Sequence, residues 1–97
     1  MGKATQVIII NEKDNVATAL KGLRAGAEVS VELQGHARKI TLLSDIPMGH
    51  KFALQDIGEG EPVIKYGEPI GQGTTKITRG EHVHVHNVAS QPRGGSR

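Results

Sequence analysis

The chain has 97 residues, enough for one small domain with a modest core and too few to enclose a deep active site alone. It contains no cysteine, which excludes disulfides, thiolate metal sites and cysteine nucleophiles. The net charge of +2 is interspersed, and Phe52 and Tyr66 are the only aromatics, so neither a basic stripe nor a stacking platform for nucleic acid exists, despite a pI near 9.2. No apolar run approaches the roughly 20 residues of a membrane span, and none has the form of a secretory signal, so a cytoplasmic protein without a membrane partner is expected.

In chain order, residues 5–11 form a short apolar run bounded by polar residues and predict a buried strand. Asp14-Asn15 then reads as a helix N-cap. Val16, Ala19, Leu20 and Leu23 come next at helical spacing, which predicts a two-turn helix over 16–23 that Gly26 can stop. Val29, Val31 and Leu33 alternate with polar residues, as do Ile40 and Leu42. These predict two half-buried strands joined as a hairpin across Gln34-Gly35-His36, with His36 at the surface.

Asp45–His50 reads as a turn leading into an extended segment through Leu54. Gly58-Glu59-Gly60-Glu61 is another turn, residues 62–66 are a strand, and Gly67, Gly71 and Gly73 break up the stretch beyond it. An Ile-x-x-Gly turn recurs at Ile46, Ile57 and Ile77, which we read as repeated turn chemistry, not as a solenoid. Thirteen glycines, four prolines and a core of Val, Ile, Leu and Ala predict a small, mostly-β domain of short strands with one short helix. The domain spans residues 1–90, and 91–97 reads as a flexible Gly/Ser/Arg tail.

The last segment before that tail, Glu81-His82-Val83-His84-Val85-His86-Asn87, holds three of the five histidines. Side chains alternate along a strand, so His82, His84 and His86 are expected on one face, with Val83 and Val85 in the core. Imidazoles at i and i+2 converge on one cation when a strand bends, and imidazole suits zinc, iron, nickel or copper. The plain alternative is a solvated polar face, since a complete metal site needs further ligands. Two loop groups accompany this strand: Gly49-His50-Lys51 and Lys65-Tyr66-Gly67. Such residues are ordinarily solvated, yet together they suit a polyhydroxylated carboxylate, with cations holding the anion and polar groups meeting the hydroxyls. Gly71-Gln72-Gly73 is no dinucleotide fingerprint, because the third glycine is missing and no helix pattern comes after it.

At these residues a family becomes recognisable. Asp14-Asn15-Val16-Ala17, Asp45-Ile46-Pro47-x-Gly49-His50-Lys51-Phe52-Ala53-Leu54, Val63-Ile64-Lys65-Tyr66-Gly67-x-Pro69-Ile70-Gly71 and Gly80-Glu81-His82-Val83-His84-x-His86-Asn87 resemble the N-terminal domain of altronate dehydratases. They are also similar to the small subunit of sulfolactate sulfo-lyase. The resemblance covers about residues 6–88 and implies a SAF domain with β-clip architecture.

It further implies the small subunit of a metal-dependent lyase that eliminates water, or in the sulfo-lyase sulfite, from a 2-hydroxy acid. His84 and His86 are the catalytic candidates, and His82, His84 and His86 form a partial metal site. His50, Lys51, Lys65 and Tyr66 are the candidates for binding the acid. The cofactor implied is a divalent metal, iron or manganese, shared with a large catalytic dehydratase-like subunit that also supplies the general base. In altronate dehydratases the large part lies on the same polypeptide. Here it is expected to lie on a separate protein, as in the two-subunit sulfo-lyase, or to be absent, since the sequence ends after its Gly-rich tail. Two other classes stay open: a sugar-acid-binding module without turnover, and a purely structural subunit.

Overall fold

The computed structural model describes residues 6–33 and 35–90, with the side chains of Leu33 and His36 outside the description. The tail expected over 91–97 and the surface position of the His36 side chain therefore lie outside the described residues. Among the described residues nine strands run β1 Val7–Ile8, β2 Val16–Ala19, β3 Glu28–Leu33, β4 His36–Thr41, β5 Lys51–Ala53, β6 Pro62–Lys65, β7 Glu68–Gly73, β8 His82–Val83 and β9 Val88–Ala89. They form an antiparallel sheet in the order β1-β2-β5-β8, the β3-β4 hairpin, and a three-stranded sheet in the order β6-β7-β9.

The four-stranded sheet is covered on both faces. Val16 pairs with Ala53, and both lie in a core with Ile57, Val63, Ile77 and Val83. One step along, Ala17 pairs with Phe52, and both lie in the other core with Val29, Val31, Ile40, Leu42 and Ile46. Alternate residues of one strand thus enter different cores, as the two-residue period of a strand requires.

This arrangement overturns the helix expected over 16–23: no helix occurs among the described residues. A strand buried on both faces carries no polar alternation. Val16, Ala17 and Ala19 therefore follow with only Thr18 between them, and with Leu20 and Leu23 they imitate helical spacing. Leu20 is in fact 44% exposed, where a helix would have turned it inward. Asp14 and Asn15 are correspondingly not an N-cap; both are buried and bond to the β6-β7 hairpin. The glycines after residue 67 likewise do not interrupt β7. A Cβ at Gly71 would lie 2.6 Å from the Ala89 carbonyl oxygen, so glycine is what lets β9 come alongside.

The recurring turn has a structural purpose wider than its sequence suggested. Leu23 and Ile46 exchange backbone hydrogen bonds of 2.9 and 2.8 Å, and Ile57 and Ile77 do the same at 2.8 Å each. Each of these residues opens a β-turn closed by an N–H to O bond, Ala27 to Arg24, His50 to Pro47, Glu61 to Gly58 and Glu81 to Thr78. Gly26, Gly49, Gly60 and Gly80 occupy the third turn position with φ between 84° and 88°, where a Cβ is strained. An aspartate ties each pair together: Asp45 Oδ1 accepts from Ala25 N, and Asp56 Oδ1 accepts from Arg79 N. The fourth turn, at Leu23, lies at the end of the segment expected to be helical. Two of these turns end immediately before β5 and β8, which run antiparallel, so the start of β5 after His50 lies beside the end of β8.

Candidate functional site

β5 and β8 pair antiparallel, Lys51 with Val83 and Phe52 with His82. The same register places His50 opposite His84 one step beyond the paired residues. Directly opposed residues on antiparallel strands share a face, so His50, His82 and His84 gather on the Phe52 side. Their rings confirm it. His50 stacks on His84 with centroids 4.0 Å apart and on His82 at 5.1 Å. His82 and His84 lie nearly parallel at 5.6 Å.

His50 Nδ1 and His82 Nε2 are 2.9 Å apart. One ring must donate and the other must present a bare nitrogen, so at least one of the two is neutral. Partial burial pulls the His82 imidazole below its ordinary pKa, and the neighbouring His50, His86, His84 and Lys51 add to the effect. His84 is lowered too, by desolvation first and then by His50, Lys51 and His86. His82 and His84 are therefore biased toward the neutral imidazole, the state that binds metal.

The structure corrects the expected histidine strand. β8 ends at Val83, and residues 84–87 form a tight turn. Asn87 makes that turn: it is 1% exposed, its Oδ1 accepts from His84 N at 3.0 Å and its Nδ2 donates to His82 O at 2.9 Å. The period of two is lost there. Val83 is buried as expected, but Val85 is 80% exposed and does not enter the core. His86 is exposed, and its ring is tilted 37° to that of His82 at 5.2 Å.

Among the described residues, His50, His82 and His84 each offer one ring nitrogen that lies within 4.8 Å of the other two. An ion about 2.0–2.1 Å from each imidazole nitrogen holds its ligands roughly 3–4 Å apart, so modest ring rotations would close the set. Three nitrogen donors on an open face fit a divalent transition metal. His50, placed by sequence among the acid-binding residues, is thus the third member of this set, and His86 stands beside it.

Lys51 lies on the other face of β5, opposite Thr18 and Val83. Burial lowers its pKa, and Lys65 lowers it further, so the two ammonium groups are close enough to repel. Among the described residues no carboxylate forms an ion pair with either. Lys65 Nζ lies 4.8 Å from the centre of the Tyr66 ring. Lys51 is thus near enough to His82 and His84 to act on them by charge, although it lies on the other face of β5, and Lys65 acts on Lys51 in the same way.

Residues 5–91 match the family model of the altronate/galactarate dehydratase SAF domain. The chain belongs to this family. It is 52% identical over 83 residues to altronate dehydratase of Escherichia coli (strain K12), covering 86% of this chain and 16% of that protein. To galactarate dehydratase (L-threo-forming) of the same organism it is 37% identical over 78 residues, 14% of that protein. To (2R)-sulfolactate sulfo-lyase subunit alpha of Chromohalobacter salexigens it is 36% identical over 87 residues, and here it covers 93% of the relative. This SAF domain therefore spans only 16% of the altronate dehydratases it matches, but nearly the whole of a separately named lyase subunit. No helix among the described residues is long and apolar enough to cross a membrane.

Proposed function

We propose that this SAF domain is the small subunit of a carbon–oxygen lyase that eliminates water from a 2-hydroxy sugar acid, and that it acts with a large dehydratase-like catalytic body. The observation that carries this reading is the convergence of His50, His82 and His84, with Lys51 near enough to act on His82 and His84 by charge and Lys65 near enough to act on Lys51. Three clustered imidazoles and two neighbouring ammonium groups are costly to assemble in one place unless a metal and an anion join them.

In such an elimination the proton on the carbon beside the carboxylate is removed, the C–O bond of the next carbon breaks, and water leaves once its oxygen is protonated. The resulting enol becomes a 2-keto acid. Lys51 and Lys65 would neutralise the carboxylate, on which charge grows as the proton departs. Tyr66 would meet a hydroxyl of the acid. His50, His82 and His84 would hold a divalent metal, and their all-nitrogen donor set favours iron over manganese. When bound, that metal would act as a Lewis acid on the substrate's oxygens. His86, exposed beside the set, is placed to pass a proton or complete the ligands from outside. The large body would supply the general base and cover the face, excluding water.

A second reading has its own support. Near-complete coverage of the sulfo-lyase subunit alpha favours a two-chain enzyme in which sulfite is the leaving group. The carboxylate grip is the same in both, so the leaving group must be chosen by the large body. The test is to prepare this chain and a large dehydratase chain from the same source, separately and mixed, and assay altronate, galactarate and sulfolactate. Activity only in the mixture supports the proposal, and the productive substrate decides between the two readings. Full activity from the large chain alone would reduce this domain to a structural or binding role.

A further inference from the structure

The hairpin that carries Lys65 and Tyr66 is held in an uncommon way. Pairing between β6 and β7 shifts between Val63 and Ile64, and Ile64 comes opposite Pro69, which has no N–H to donate. Asn15 serves the groups this leaves open. Ile64 N donates to Asn15 Oδ1 at 2.7 Å, Asn15 N donates to Ile64 O at 3.2 Å, and Asn15 Nδ2 donates to Pro62 O at 3.0 Å. Asp14 grips the turn itself: its Oδ1 accepts from Gly67 N at 2.8 Å while its Oδ2 accepts from Asn11 N at 3.1 Å.

Within that grip, Tyr66 and Gly67 both have positive φ, 59° and 73°. This is the signature of a two-residue type I′ hairpin turn, whose first position favours asparagine, aspartate or glycine. A tyrosine there is strained. It is also 58% exposed, so burial does little to offset the strain, and its described neighbour is the ammonium of Lys65. An exposed, strained residue that buried side chains clamp from behind is the pattern of a site maintained for something outside the chain.

We infer that Asp14 and Asn15 are positioning residues that hold the Lys65–Tyr66 turn in its strained form, so that the Lys65 ammonium and the Tyr66 hydroxyl together grip the carboxylate and a neighbouring hydroxyl of a hydroxy acid. This deepens the reading above and rests on it. The chain contains one tyrosine and no tryptophan, so its intrinsic fluorescence reports this turn directly.

The experiment titrates galactarate and sulfolactate into the full chain, alone and assembled with its large subunit, following the backbone amide shifts of this chain throughout and, where Tyr66 is present and the chain is alone, its fluorescence. Melting temperatures are recorded for every variant. Asp14→Ala and Asn15→Ala are expected to weaken acid binding at least tenfold while the domain still melts cooperatively. Asp14→Asn, which keeps an acceptor for Gly67 N, is expected to restore affinity to within about threefold. Tyr66→Gly relieves the strain without touching the clamp, and should melt a few degrees higher while binding the acid at least tenfold more weakly. If the clamp variants do not fold, the Tyr66→Gly result decides alone. A lower melting point for Tyr66→Gly, or binding indifferent to Asp14, Asn15 and Tyr66, overturns the positioning role. Absence of any saturable response in wild type, alone or assembled, overturns the anion reading itself.

Discussion

His50 and His84 stand opposite one another one step past the last paired residues of β5 and β8, and their rings stack 4.0 Å apart. The two residues come from distant parts of the sequence and meet because His50 precedes the start of β5 and His84 follows the end of β8, which are the same sheet end in an antiparallel pair.

This relationship ranks the histidines. In the reconstituted enzyme, His50→Ala, His82→Ala and His84→Ala should each lower bound metal and turnover by more than the roughly 10–100-fold typical of losing an outer-shell partner. His86→Ala should cost distinctly less metal, because His86 stands outside the convergent set. Metal content by elemental analysis, alongside kcat, checks the order. Equal metal loss in all four variants would return His86 to the set of ligands.

Asn87 is the residue that turns the chain after His84. Asn87→Ala leaves the His84 amide and the His82 carbonyl without their partners. The expected loss is about 1–3 kcal/mol of stability. Val85→Thr, two turn positions away, should change stability by no more than about 0.5 kcal/mol, since its side chain faces solvent. Denaturant melts of the two variants check both values. A large loss for Val85→Thr would mean that the strict alternation read from sequence is right after all.

Those two residues also show where the sequence was legible and where it was not. The β3-β4 hairpin was readable because one face is buried and the other solvated, so apolar and polar residues alternate. β2 was not, because both its faces are buried and the polar half of the signal is gone. At the site, the imidazole face and its loop companions His50, Lys51, Lys65 and Tyr66 were visible as residue types beside glycines. A single chain could not display long-range register: His50 meets His84 only through the β5–β8 pairing. One missed signal was present. Ala19-Leu20-x-x-Leu23-x-x-Gly26 and Ala53-Leu54-x-x-Ile57-x-x-Gly60 are the same phrase, and the second reads as strand and turn.

Gly71 and Gly22 form a paired test of the fold. A methyl group at residue 71 meets the Ala89 carbonyl oxygen at 2.6 Å and Val88 Cγ1 at 2.7 Å, and backbone cannot yield as a flexible side chain would. Gly71→Ala should therefore cost about 1–3 kcal/mol by forcing β7 and β9 apart. At Gly22 nothing lies within 4 Å of the added carbon. Gly22→Ala should be neutral or gain up to about 1 kcal/mol through the unfolded chain. Thermal melts of the two variants should move in opposite directions or differ plainly in size.

The metal-free domain should also lose stability as the solution is acidified through the histidine range. His82 and His84 have folded-state pKa values below the ordinary 6.5, through desolvation and neighbouring positive charge. Above about pH 6.5 both rings are neutral in the folded and unfolded chain, and they contribute no pH dependence. Below it, the unfolded chain takes up protons that the folded site refuses, so unfolding is favoured and stability falls as pH falls. The loss grows down to the folded-state pKa values and is constant below them. Metal affinity should fall in the same direction, since protons and the ion compete for the same nitrogens. Melts in chelator between about pH 7.5 and about pH 5.5, a range chosen to stay above carboxylate titration, give the sign. Replacing His82 and His84 with glutamine should flatten the slope. A wild-type domain that becomes more stable as pH falls over this range would mean that the rings gain favourable partners when charged, the reverse of the repulsion described for this site.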